Sequence, residues 1–313
     1  MMFLIIGNFA SQASITDKIE GIDQMNAIPE ISFKKTKALQ VHEFQFVRLE
    51  DLMSDIENPT DHSPFHAHRL GFFAILIITE GEVNHIVDFE IYNLRKGDVM
   101  VIAKGQIHAF NEFSEYKGYL VLFTEAFMHK YIAQSTIAQI NQLYNYFLRQ
   151  EKMNNPDHNY ILLDILSKEL KGNSSSLPNI VGSLLGIYLL KLNEENIRSA
   201  SSSVNSKSLD YFNHFKQLLE LNFSKTRDAK AYASDLSISY KHLNEVCKEI
   251  VKTTAKSFID RYVSLEAKRL LVSSSFSVKE ISFELGFDEP TNFIKYFKKQ
   301  TNLSPGEFRK TLD

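Results

Sequence analysis

The chain has 313 residues and a net charge of −3, with 44% hydrophobic and 23% charged side chains. That length predicts two domains, and the composition is that of an ordinary globular protein with a packed core in each. A single cysteine, Cys247, rules out an internal disulfide and a cysteine-based zinc site within one chain, and no run of about 18 uncharged apolar residues is present to cross a membrane. Residues 210–313 hold 17 Lys and Arg against 14 Asp and Glu, while residues 1–209 hold 18 against 24. The two halves differ in sign, which points to a nucleic-acid-facing C-terminal half.

Residues 1–29 read as an N-terminal extension. Its apolar Phe3-Leu4-Ile5-Ile6 is short and has no Lys or Arg before it, unlike an export signal, so the expected compartment is the cytoplasm. Residues 30 to about 125 read as short strands. The apolar run Phe72 to Ile78 ends at Glu80-Gly81, and Val99-Met100-Val101-Ile102 lies between Gly97-Asp98 and Lys104-Gly105. Closely spaced strands with Gly-centred turns predict an all-β sandwich or barrel.

From about Glu125 the period becomes helical: Ile132, Ile137, Ile140, Leu143, Tyr144 and Phe147 recur at three- and four-residue steps. A second helix is predicted over residues 160–170 and a third over 178–197. The third carries the apolar stripe Ile180, Leu184, Ile187, Tyr188 and Leu192, widened by Leu185, Leu189 and Leu190. Ile180, Leu184, Ile187 and Tyr188 are the candidate seam of a homodimer, the alternative being that this stripe packs on its own barrel. Residues 199–208 are Ser-rich, with Ser201-Ser202-Ser203 at their centre, which is linker chemistry. This divides the chain into 1–29, a domain over 30–198, a linker over 199–208 and a helical domain over 209–313.

Within the helical domain, Ala229, Ala233 and Leu236 make the apolar face of a short helix. Ser237 to Ser239 break it, and Leu243, Val246, Cys247 and Ile250 face inward on the next helix. Two short helices, a tight turn and a small residue at the crossing make a helix-turn-helix. Cys247 reads as a small core residue. Tyr240, Lys241, His242, Asn244 and Lys248 stay outward, and such side chains bond base edges or phosphates. The pattern repeats with Val278, Ile281 and Leu285, then Gly286, then Phe293, Tyr296 and Phe297 inward and Thr291, Asn292, Lys295, Lys298 and Lys299 outward. Leu236 and Leu285 are 49 residues apart. Residues 257–271 read as one amphipathic helix of roughly 22 Å between the units. That length lets the two recognition helices enter successive major grooves, about 34 Å apart.

These residues resemble the DNA-binding domain of the AraC/XylS family over about residues 229–309. The stretch Ile281-Ser282-Phe283-Glu284-Leu285-Gly286-Phe287 matches its second unit, as do Asn292-Phe293, Phe297-Lys298-Lys299 and Thr301 to Arg309. Where the family often has an aromatic, this chain has Cys247. The resemblance implies that both second helices enter double-stranded DNA and that the protein acts near a promoter, with RNA polymerase a candidate partner there; activator is the role expected, with repressor the alternative that the sequence leaves open.

In the N-terminal half, His66-Ala67-His68 puts two imidazoles on one strand face, and Gly97-Asp98 and Gly105-Gln106-Ile107-His108 follow. This resembles the two motifs of cupin barrels over roughly residues 60–115, and equally the barrel sensor of AraC-type regulators. The resemblance implies a small-molecule effector pocket, for which Phe65, His66, His68, Phe72, His85, His108 and Phe110 are the candidates, with Phe73 another aromatic that could line it. Cupin enzymes carry a Glu shortly after the His pair, whereas here the next carboxylate is Glu80. His66, His68 and His108 could still hold a metal, since imidazole suits several transition ions, but the reading taken is pocket or structural histidines, with no cofactor.

The sequence therefore predicts an α+β multidomain protein: a cupin-like β-barrel with packed helices, then an all-α domain with two helix-turn-helix units. The expected function is a non-enzymatic, effector-controlled regulator of transcription. A constitutive DNA binder whose barrel only dimerises, and a cupin metalloenzyme with a helical appendage, are the other readings. No phosphate-cradling Gly-rich loop and no G-x-S-x-G elbow occurs.

Overall fold

The computed structural model describes residues 30–31, 33, 39–41, 43–54, 67–110, 116–144, 153–154, 156–172, 174–199 and 206–310. Its N-terminal part contains β1 (Glu30–Ile31), β2 (Leu39–Val41), β3 (Phe44–Arg48), α1 (Leu49–Ser54), β4 (His68–Leu70), β5 (Phe73–Val87), β6 (Glu90–Arg95), β7 (Asp98–Ile102), β8 (Ile107–Phe110), β9 (Tyr116–Phe123) and β10 (Met153–Asn154). The strands follow the order β1-β4-β8-β5-β9-β3-β2. In addition, β6 and β7 pair with β5, and β10 pairs with β7. The result is a curled, cupin-like half-barrel organised around β5.

The 15-residue β5 explains the curl. Its first half pairs with β7 and β9, its second half with β6 and β8. The sequence pattern ends this strand at Glu80-Gly81, but the structure carries it through. A register shift between Ile78 and Glu80 and a positive φ of 73° at Gly81 bend the strand without ending it. Beyond the bend, Val83, His85 and Val87 alternate inward against exposed Glu82 and Asn84.

The apolar run on β5 is continuous because both its faces are covered. Ala74, Leu76 and Ile78 join Leu94, Met100, Ile102, Phe110 and Leu120 inside the curl. Ile75 and Ile77 join Val99, Val101, Val121 and Phe123 beneath α2 (Glu125–Tyr131), α3 (Gln134–Ile140), α4 (Pro156–Glu169) and α5 (Leu177–Ser199). Helix α4 starts four residues before the predicted 160–170 and ends one short of it, and α5 extends the predicted 178–197 at both ends. Tyr188 on α5 donates to Asn159 Oδ1 at 2.6 Å, and Asn159 Nδ2 donates to the Gly97 carbonyl at 2.9 Å, tying α5 through α4 to the sheet.

The C-terminal part is helical: α6 (Ser206–Asn222), α7 (Ala229–Asp235), α8 (Tyr240–Val251), α9 (Ala255–Ser273), α10 (Val278–Glu284), α11 (Pro290–Thr301) and α12 (Pro305–Lys310). Helix α6 begins inside the segment read as linker, with Ser208 already buried. Its Phe212, Phe215 and Leu219 share a core with Tyr232, Phe258, Phe293 and Phe297. Among the described residues no helix is long and apolar enough to cross a membrane.

Candidate DNA-binding surface and effector barrel

The first unit is α7-turn-α8. The Asp228 side chain accepts from the Lys230 amide and starts α7, and Ser239 accepts from the His242 amide and starts α8. Between them Ser237 adopts a left-handed φ of 55°, and the Ile238 amide donates back to Ala233. Leu243, Val246 and Cys247 are buried on α8, and burial pushes the Cys247 thiol up to about 12, as befits a core residue. Tyr240, Lys241 and Lys248 are exposed. His242 is half-buried, 5.4 Å from the Tyr211 ring and 3.6 Å from Glu245.

Asn244, expected to face outward, also has a structural role. Its amide oxygen accepts from the Ala255 amide at 3.0 Å, bracing the α8–α9 junction, and its Nδ2 donates to the Tyr240 carbonyl of its own helix at 3.1 Å.

The second unit is α10-turn-α11. Ser277 and Glu280 form a reciprocal capping box at the start of α10. The Ser277 backbone amide, and then its hydroxyl, hold the Glu280 carboxyl below its usual range. Gly286 turns the chain at φ 72°, and a Cβ there would lie 1.6 Å from the Ser224 carbonyl oxygen, so no other residue fits. Pro290 opens α11, which buries Phe293 and Phe297 and exposes Thr291, Asn292, Lys295, Lys298 and Lys299. Tyr296, expected inward, is half-buried and its hydroxyl donates to the Asp260 carbonyl.

The two units are fixed to each other. Arg227, which the sequence reading passed over, donates to the Leu285 and Gly286 carbonyls and lies 3.7 Å over the Phe287 ring. Helix α9 separates the units with 19 residues, about 28 Å. The exposed cations of α8 and α11, with Asn292 on α11, suit phosphate contact and base reading.

In the barrel, Phe65 and His66 lie outside the described residues. His68, His85, His108 and Phe110 come together: His108 Nδ1 is 3.3 Å from His85 Nε2, the His68 and His108 rings are 4.2 Å apart, and the His85 and Phe110 rings are 4.6 Å apart. Burial pushes the His85 imidazole down to about 3, with His68 a second cause, so it is neutral. Tyr116, which the sequence reading did not single out, stacks on Phe110 at 6.4 Å. Its hydroxyl and His85 Nδ1 are buried with no hydrogen-bond partner among the described residues. Phe72 is buried in the inner core against Phe33, whereas Phe73 points to the opposite face, 4.7 Å from Tyr144 beneath the helices. Among the described residues no group of three His, Cys, Asp or Glu is arranged to hold a metal ion.

On α5, Ile187 is 60% exposed, Ile180 and Leu184 are half-buried, and Tyr188 is 3% exposed. Tyr188 therefore belongs to its own domain's core, and Ile187 is the seam candidate that faces outward.

A sensor-like half-barrel joined to paired helix-turn-helix units defines the class: a DNA-binding regulator with a ligand-binding type of N-terminal domain. Comparison with known proteins agrees. Residues 232–311 match a helix-turn-helix domain family and residues 55–155 match the AraC-like ligand binding domain. The transcriptional activator RhaS of Escherichia coli O6:H1 is 24% identical over 284 residues, covering 87% of this chain and 98% of its own. The activator RhaR of Mannheimia succiniciproducens is 24% identical over 275 residues, covering 88% and 98%. ToxT of Vibrio cholerae superposes with a TM-score of 0.44 at 13% identity, covering 86% of this chain and 99% of that one. The chain belongs to the AraC/XylS family of transcription regulators.

Proposed function

We propose that this protein is a non-enzymatic transcriptional activator of the cytoplasm, built of a sensor domain over 30–198 and a DNA-binding domain over 209–313. Its barrel binds a small-molecule effector, and its helix-turn-helix units read two successive major grooves at a promoter, beside RNA polymerase. The observation that carries the DNA reading is the pair of cation-bearing faces on α8 and α11, the second also presenting Asn292, held apart by α9 and locked together through Arg227 and Gly286. Tyr240, Lys241, His242, Lys248, Thr291, Asn292, Lys295, Lys298 and Lys299 are the DNA-facing set, with Asn244 in a bracing role.

For effector control, the support is a buried cluster of His68, His85, His108, Phe110 and Tyr116 in which two polar atoms have no partner among the described residues. Such groups are normally satisfied by protein, water or ligand. Dimerisation would use the α5 face at Ile187, with Ile180 and Leu184 at its edge.

Binding of the full chain to genomic fragments, followed by a salt titration on a selected duplex, tests the DNA reading. Lys298→Ala should reduce the salt slope by about one unit, and Asn292→Ala should weaken binding by roughly 1–3 kcal/mol and relax one position. Unchanged binding in both variants would rule out this placement of α11. A metabolite screen by thermal shift tests the sensor, because a ligand that binds only the folded form raises the melting temperature. An unchanged mass of Ile187→Glu in solution would remove the α5 seam.

A further inference from the structure

The β5–β6 hairpin turns on Asp88 and Phe89, at φ 47° and 73°. Positive φ at both central residues is type I′ geometry, which Asn-Gly adopts without strain. A bulky Phe at such a φ needs support from outside the turn. That support comes from the other domain, 181 residues along the chain.

Arg269 on α9, only 1% exposed, donates from Nε to Asp88 Oδ1 at 3.0 Å and from Nη2 to Asp88 Oδ2 at 2.6 Å. Its Nη1 meets Glu266 Oε1, and Glu266 Oε2 accepts from Arg69 Nη2 of β4 at 3.1 Å. Charges thus alternate Asp88, Arg269, Glu266, Arg69 across the interface. The Phe89 ring meets Phe308 of α12 edge-on at 5.9 Å, with Lys268 5.8 Å from one ring centre and 5.6 Å from the other.

The barrel positions the same carboxylate from its own side. Gln106 Nε2 donates to Asp88 Oδ2 at 2.7 Å and the Ile107 amide to Oδ1 at 3.1 Å. Ile107 is next to His108, and Val87, next to Asp88, pairs in register with His108. The docking turn is therefore three residues from His85 along β5, and its partner Ile107 is one residue from His108 on β8.

We propose that this hairpin tip is an interdomain latch: it clamps the spacer helix α9 to the barrel and passes the state of the histidine cluster to the two DNA-binding units. The proposal rests on the effector-control reading above and names the contact through which that control runs. A desolvated bidentate pair behaves as an on-or-off contact, because losing one partner leaves the other charge buried and under-satisfied. Lys241, Lys248, Asn292 and Lys298 stay exposed in the docked state, so the latch acts by fixing α9 and leaves the DNA-facing side chains uncovered.

Two full-length variants test it: Asp88→Asn, and Asp88→Asn with Phe89→Gly, whose relaxed turn keeps the barrel folded. By hydrogen exchange, both should exchange the amides of the second half of α9 and of Ile107 faster by about tenfold or more, with α7 and α11 unchanged. Protection of α9 equal to wild type overturns the latch. The coupling is read with a duplex that the wild-type chain selects from a random-sequence pool. His108→Ala should change affinity by about threefold or more in the wild-type background and have no effect beside Asp88→Asn. Equal effects in both backgrounds, or none in wild type, overturn the coupling. If the wild-type chain selects no duplex, the DNA-binding reading fails instead, and the exchange measurement still decides the clamp.

Discussion

The two helix-turn-helix units take the same backbone path through their turns but secure it with different side chains. Both place a left-handed residue directly after the C-cap of the first helix, Ser237 in one and Gly286 in the other, 49 residues apart. In both, the next amide donates five residues back, Ile238 to Ala233 and Phe287 to Ser282. The second unit then inserts one extra residue, so its recognition helix starts at Pro290 against Tyr240, an offset of 50. Its helix lacks a side-chain cap bond where α8 has Ser239. What is repeated is the backbone path, and the side chains that secure it are local. The second turn is also pinned from outside by Ser224 and Arg227, which makes it the joint between the units.

That comparison can be broken at its most constrained point. Gly286→Ala should destabilise the C-terminal domain by on the order of 3–5 kcal/mol in urea melts, because strain at φ 72° adds to a carbonyl oxygen in the path of the new Cβ. A loss below about 1 kcal/mol would mean that the joint gives way freely. Arg227→Ala should cost about 2 kcal/mol, from two hydrogen bonds and a ring contact that the first unit lacks. Ser237→Gly should have the opposite sign to the Gly286 change. Relief of left-handed strain, less the added chain entropy, gives a net gain of about 0.5 kcal/mol, and a loss of stability would contradict the parallel between the turns.

The smallest effect concerns acid. The Glu280 carboxyl is held below its usual range by Ser277. A group whose folded value is lowered adds stability above its unfolded value, about 4.3, and loses it as pH falls through the folded value. Glu280→Gln should therefore flatten the fall in melting temperature between about pH 5 and pH 3. An identical acid limb in both proteins would show that the capping box adds nothing.

The helical domain was legible in the sequence because its determinants are local: caps, turn residues and helical spacing all lie within a few positions. The barrel was legible as a class and less so in detail. Its β5 run is apolar on both faces, so periodicity could not say that Phe72 faces the inner core while Phe73 faces the helices. The bend at Gly81 looked like a turn because a bulge and a turn use the same glycine. Tyr188 on an apolar stripe could not be told from a dimer seam until its hydroxyl met Asn159. The bracing role of Asn244 was not legible because the amide it accepts from belongs to the following helix. The Asp88–Arg269 pair joins residues 181 apart, and no short-range signal announces it.

The central claim is that each unit reads its own groove segment. Substituting every base pair of a selected duplex in turn, and comparing wild type with Lys241→Ala and with Asn292→Ala, tests it most directly. The base pairs whose preference is lost with Lys241→Ala should lie about one helical turn, roughly 10 base pairs, from those lost with Asn292→Ala. Loss at the same base pairs in both variants, or at none, would contradict it.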